Sequence, residues 1–167
     1  MAVFSDVVNP VDGVVYPRIC SAIPADITAE IYAKLEAFKG SPIKNPTLFM
    51  RMSPEGVHCP HKVHSDASMG THSLMLYLNE PSTLGAGTSF VGHIDTGIGY
   101  APALEDFAQI ITAAQNDDAA WAIHDFAHMK ANRAVIFKAD RLHRAEPVGG
   151  FGSTNQDARL VLTCFFS

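Results

Sequence analysis

Eight short runs, each rich in β-branched or aromatic residues and each closed by Gly, Pro, Asn, Asp or Ser, set the limits on how this chain can fold. They are VVYPRI (14–19), TLFMRM (47–52), the stretch around VHCPHKVH (57–64), SLMLYLN (73–79), TSFVGHI (88–94), RAVIFKA (133–139), HRAEPV (143–148) and ARLVLTCFF (158–166). Runs of this length and punctuation are strand signals. Helical periodicity appears in only two places, so the strands do not alternate with helices, and this argues against a Rossmann-type parallel sheet. The pattern predicts a mainly β fold with flanking helices, a two-sheet jelly roll.

The first helix is expected over ADITAEIYAKLEAFKG. Asp26 or Thr28 is placed to cap it, Ile27, Ile31, Leu35 and Phe38 recur at helical spacing, and Gly40 and Pro42 end it. A second helical region is expected from Ala103 to Met129, with Leu104, Phe107, Ile111 and Ala114 as its apolar stripe. Asn116, Asp117 and Asp118 should divide it into two helices, the second carrying Trp121.

The chain has 167 residues, 47% of them hydrophobic and 17% charged. That length fits one domain over 1–167 with a single core, and so small a charged share excludes a disordered chain or a coiled coil. The apolar stretches fall well short of the roughly 18 residues of a membrane span. The start, MAVFSDVVNP, has no basic region leading into an apolar run, so no secretory signal is expected. Cys20, Cys59 and Cys164 are an odd count at irregular spacing and point to a reducing, cytoplasmic setting. The net charge of −5 argues against a nucleic-acid partner. Lys130, Arg133, Lys138, Arg141 and Arg144 make the late segment locally basic, which reads as a solvated face. A small-molecule or peptide substrate is the remaining expectation, and nothing in the sequence speaks to oligomeric state.

The strongest local motif is His64-Ser65-Asp66. Residues two apart on a strand project to one face, so this imidazole and carboxylate can converge. His143, in FKADRLHRAEPV, is the best candidate for a third ligand. Two histidines and a carboxylate leave three positions of a metal open, the facial triad of non-haem Fe(II) oxygenases. Arg159 lies sixteen positions after His143, inside the run ARLVLTCFF. A guanidinium is costly to bury without a partner, and its planar fork suits a carboxylate. An internal ion pair with Asp157 is the plainer reading.

HSD, the strand SLMLYLNEP, the turn GAGTSF, RAVIFKADRLHRAEPV and ARLVLTCFF follow one another in a familiar order. Together the ordered HxD, GxGTxF, F-x5-H-x3-PV and downstream Arg resemble the Fe(II)/2-oxoglutarate-dependent dioxygenases, most closely the small prolyl-hydroxylase-like branch. The resemblance covers roughly 47–167. It implies a double-stranded β-helix of the cupin-like kind, with Fe(II) held by His64, Asp66 and His143 and with 2-oxoglutarate and O₂ as cosubstrates. Arg159 would grip the far carboxylate of 2-oxoglutarate. Thr88 would add a hydroxyl to it or serve only the strand turn. Tyr77 falls where some relatives place a contacting tyrosine, although by alternation only one of Leu76 and Tyr77 faces the cavity. The reaction implied is hydroxylation of a C–H bond with release of succinate and CO₂. Two features depart from the family: Met52 stands where many relatives have a tyrosine, and collagen-type prolyl hydroxylases carry a lysine at the position of Arg159.

The remaining histidines support rival readings. His58, Cys59 and His61 match no ordinary zinc spacing. His72 and His93 are placed near the expected mouth. HDFAH sets His124 and His128 at i and i+4, the zincin spacing if the segment is helical, with Asp in place of the usual Glu. A cupin-like metal-binding protein or isomerase could use His61, His64 and His143 but has no need of Arg159. A β-sandwich interaction module with an incidental HxD is the non-enzymatic alternative. The Gly-rich turns 92–102 and 148–157, with Tyr100 and Phe151, are the candidate substrate loops.

Overall fold

The computed structural model describes residues 2–9, 13–101 and 105–167, without the side chains of 105–107. Nine strands and two α-helices follow in the order β1 (Ser5–Val8), β2 (Val15–Cys20), α1 (Ala25–Lys39), β3 (Thr47–Ser53), β4 (His72–Tyr77), β5 (Gly87–His93), α2 (Glu105–Ala114), β6 (Trp121–His128), β7 (Ala134–Lys138), β8 (His143–Glu146) and β9 (Arg159–Phe166). All pairings are antiparallel. One sheet has the order β1-β2-β3-β9-β4-β7 and the other β6-β5-β8. The fold is mainly β, as the strand punctuation predicts.

Period-two alternation sorts each strand into faces. On β4, Ser73, Met75 and Tyr77 turn toward the smaller sheet. There Met75 packs with Phe90 and Phe137, and Tyr77 packs with Ala86, Met129, Phe151 and Val161. The opposite face of the larger sheet presents Leu74, Cys164 and Phe166 to Leu35 of α1. Beyond the smaller sheet, Val91, Trp121 and Leu142 pack with Val63 and with Ile111 and Ala114 of α2. Burying a side chain of this size contributes about 1.5–3 kcal/mol, so these layers hold the sheets in register.

Helix α1 departs from its expected stripe. Leu35 is 2% exposed, whereas Ile27 is 43% and Phe38 63% exposed. Neither Asp26 nor Thr28 caps it: Pro24 takes that position, and the Thr28 hydroxyl donates to the Pro24 carbonyl. Gly40 ends it as expected, at a left-handed φ of 75° that any other residue adopts only with strain.

Three expectations need correction. The stretch 57–64 is not a strand: His64 makes only an isolated bridge and Asp66 lies in no strand, so strand alternation is not what brings the HxD pair together. The backbone of this stretch instead bonds the 115–116 turn, Val63 to the Gln115 carbonyl and Lys62 to Asn116 Oδ1. β1 is an additional strand that the sequence reading missed. The second helix of the 103–129 region is in fact strand β6, preceded by a 3₁₀ turn (Asp118–Ala120) that Asp117 caps. A bulge explains that misreading. Phe90 pairs with Asp125 and Val91 with Ile123, so His124 is the extra residue and the alternation breaks there. The His124 ring occupies the space a Cβ would need at Gly92. The expected helix start at Ala103 and Leu104, and the side chain of Phe107, lie outside the described residues. No helix among the described residues is long and apolar enough to cross a membrane.

Candidate metal centre and anion cavity

His64 and His143 meet backbone to backbone. Each amide donates to the other's carbonyl, at 3.1 and 3.0 Å, in an isolated antiparallel bridge. The ring centroids are 4.5 Å apart. Asp66 is fixed two residues on by its amide, which donates to the Ala139 carbonyl at 2.7 Å, and by the Ser73 hydroxyl, which donates to its Oδ2 at 2.8 Å. One ligand atom from each of His64, Asp66 and His143 lies within 4.8 Å of the others.

The proton positions follow from the second bond each ring makes. His64 Nδ1 lies 3.3 Å from the Lys62 carbonyl and His143 Nδ1 2.9 Å from the Arg141 carbonyl. A carbonyl oxygen only accepts, so each Nδ1 carries the proton and each Nε2 keeps its lone pair. Both Nε2 atoms face Asp66, at 3.8 Å from His64 and 3.4 Å from His143. Burial, reinforced by the neighbouring His143 and opposed by Asp66, lowers the His64 pKa to about 4. The ring is therefore neutral and able to ligate at pH 7. Ser73 and the two carbonyls are the outer groups that typically orient metal ligands.

Salt bridges steady the segments on either side. Asp118 takes Lys62 at 2.8 Å and Arg144 at 3.0 Å, so one carboxylate ties the residue two before His64 to the residue after His143. Arg144 also reaches Glu146 at 2.6 Å, and Arg141 pairs with Asp125. These pairs account for two of the five basic residues in the late segment.

The triad lines a cavity of about 440 Å³ between the sheets, within the range of small-molecule sites. Arg159 lines the same cavity and is 3% exposed. Its Nη2 donates to the Gly87 carbonyl at 3.3 Å and its guanidinium sits 5.8 Å over the Tyr77 ring, while its buried Nε has no partner. Burial lowers its pKa from the ordinary value, yet a guanidinium stays charged. Asp157 does not pair with it, being bonded instead to Ser153 and Thr154.

Thr88 lines the cavity and Tyr77 lies behind it, the two hydroxyls 2.9 Å apart. Of Leu76 and Tyr77, it is Tyr77 that turns inward, with no exposed surface. Met52 faces away, and its neighbour Arg51 lines the cavity. Sequence reasoning passed over Arg51 and Ser73. The available signal was alternation: in TLFMRM, Arg51 shares a face with Phe49, and in SLMLYLN, Ser73 shares one with Tyr77.

Several sequence candidates fall outside the site. His124 and His128 are exposed on a strand, which removes the helical zincin geometry. His61 lines the cavity but is not part of the ligand cluster, so it does not complete a three-histidine cupin set. His72 stacks on Phe166, and His93 packs edge-on to Trp121 and bonds Thr96. Phe151 is core, and Tyr100 is 53% exposed.

No protein-family model matches the chain, and no curated protein does. Among solved structures, the crystal structure of EvdO2 from Micromonospora carbonacea var. aurantiaca is similar at 15% identity and a TM-score of 0.48. The match covers 84% of this chain, which spans 59% of that one. Fold and site together define an antiparallel two-sheet protein with a candidate His-Asp-His metal centre.

Proposed function

We propose that the chain is a non-haem Fe(II)- and 2-oxoglutarate-dependent oxygenase on a double-stranded β-helix, hydroxylating a C–H bond of an amino acid, peptide side chain or small metabolite. One observation carries this reading: two lone-pair Nε2 atoms and a carboxylate converge in the same cavity as a buried guanidinium with an unpartnered Nε. The residues fit the groups. Nitrogen and oxygen donors suit Fe(II), a three-ligand set leaves positions open, and a buried guanidinium with no carboxylate partner among the described residues is complementary to a carboxylate.

His64, Asp66 and His143 would hold the metal, and Arg159 would hold the distal carboxylate of 2-oxoglutarate with Thr88 beside it. Bound iron and 2-oxoglutarate would supply the oxidising chemistry, in which O₂, 2-oxoglutarate and a substrate C–H give succinate, CO₂ and the alcohol. The protein's own contribution is positional. The Lys62 and Arg141 carbonyls fix the rings, Ser73 fixes the carboxylate, and Arg159 sets where the cosubstrate ends. The apolar residues Phe49, Met75, Val161 and Phe165 line the same cavity and limit water near the reacting atoms.

Anaerobic addition of Fe(II) and 2-oxoglutarate tests this through the metal-to-ligand charge-transfer absorption of the chelate. The band should appear in the wild type, vanish in His64→Ala, and need at least about tenfold more 2-oxoglutarate in Arg159→Gln. Succinate should form on admitting O₂. Metal binding without the band would favour a cupin-like metal protein instead.

A further inference from the structure

Arg51 is a second cation in the cavity that the proposed chemistry leaves uncompensated. It projects from β3 between Phe49 and Ser53, and its strand neighbour across the ladder is Val161, two residues from Arg159. Both guanidiniums line the cavity, both have a buried Nε without a hydrogen-bond partner, and neither has an ion-pair partner among the described residues. Both also line the adjoining small pocket with Lys62, His64 and Gly149, but Arg159 is committed toward Gly87 and Tyr77. Arg51 lies within electrostatic range of both His64 and Arg159.

The charges identify the missing partner. Asp66, Arg51 and Arg159 are the side chains lining the main cavity that carry a fixed charge. A divalent metal and a dianionic cosubstrate cancel, and Asp66 offsets one arginine. One positive charge remains on a half-buried guanidinium whose buried Nε has no partner, and an anion would compensate it. A phosphate dianion would overshoot that balance, whereas a carboxylate matches it and fits the guanidinium fork. Ile19 and Val161 pair with Arg51 across the sheet, and Phe49 and Phe165 line the same cavity among Ser21, Thr47 and Thr163, so an apolar body fits beside the guanidinium. On the oxygenase reading, we infer that Arg51 anchors a carboxylate of the primary substrate, a small molecule with an apolar body.

Calorimetry on the full chain loaded with Mn(II) and 2-oxoglutarate tests this without turnover. The probes are matched pairs that differ in charge alone: phenylacetate and phenylacetamide, indole-3-acetate and its amide, hexanoate and hexanamide. At least one acid should bind about tenfold or more tightly than its amide, Arg51→Gln should abolish that preference, and Arg51→Lys should restore part of it. Arg51→Gln should change 2-oxoglutarate affinity far less than Arg159→Gln does. If no acid is preferred, or if Arg51→Gln weakens 2-oxoglutarate as much as Arg159→Gln, the inference is overturned while the oxygenase reading stands. If the wild type binds neither Mn(II) nor 2-oxoglutarate, both fall together.

Discussion

Ser73 shows how much of the centre depends on groups that never touch a metal. With no exposed surface, it spends its hydroxyl on Asp66 Oδ2, and Asp66 otherwise has freedom to rotate away from the two Nε2 atoms. Ser73→Ala should leave the fold intact and weaken divalent-metal affinity by about 10- to 100-fold, the usual range for losing such a support. Competition with a chromophoric chelator measures this, and an unchanged affinity would remove Ser73 from the centre. Cys164 makes a separate pH prediction. Burial raises its thiol pKa from 9.0 to about 11. The folded state thus holds its proton more tightly than the unfolded chain, so the associated stability is full below about 9 and lost as pH climbs toward 11. Tyr32 adds to the same alkaline limb, since burial and the neighbouring thiol raise it too. Urea midpoints from pH 8 to 11 should fall less steeply in Cys164→Ala than in the wild type. Parallel slopes would mean the thiol is not the source.

Elements were legible where one periodicity acted alone. The eight expected strands include seven that form, because runs such as TLFMRM and ARLVLTCFF alternate cleanly and end in turn residues. VHCPHKVH failed because hydrogen bonds to the 115–116 turn replace a ladder, and WAIHDFAH failed because the bulge at His124 erases the period-two signal. Neither a turn acceptor fifty residues away nor a bulge is written in local pattern. Helix α1 was legible as a helix, while its buried face was overstated. Leu35 alone inserts fully, against Leu74, Cys164 and Phe166. Leu35→Ala should therefore cost about 2–5 kcal/mol in denaturant unfolding, whereas Phe38→Ala should stay within about 0.5 kcal/mol. Equal effects would mean that the whole stripe packs.

At the scale of the molecule, the candidate centre joins parts of the chain that no local motif connects. The HxD pair was readable as a motif, although it lies outside any strand, and His143 from its place between apolar runs; for Arg51 alternation gave a face, and the pairing of β3 with β9 set it across from Val161, near Arg159. That assembly has a thermodynamic consequence. The ligand cluster draws on the 64–66 segment and on β8, so the native state gathers all three donors while the unfolded chain scatters them. A metal that binds only the gathered set stabilises the fold by about 2.7 kcal/mol at a hundredfold excess over its dissociation constant. For a chain of this length each kcal/mol moves the melting temperature by about 2–4 °C, which predicts a rise of about 5–10 °C. Mn(II) in excess should produce it and a chelator should reverse it. His143→Ala, which strips one donor and leaves a buried gap, should melt lower than the wild type and lose the metal-dependent rise. Asp118→Ala keeps every donor but frees Lys62 and leaves Arg144 to Glu146 alone, so it should retain a smaller rise. A full rise in His143→Ala would place the bound metal elsewhere in the molecule.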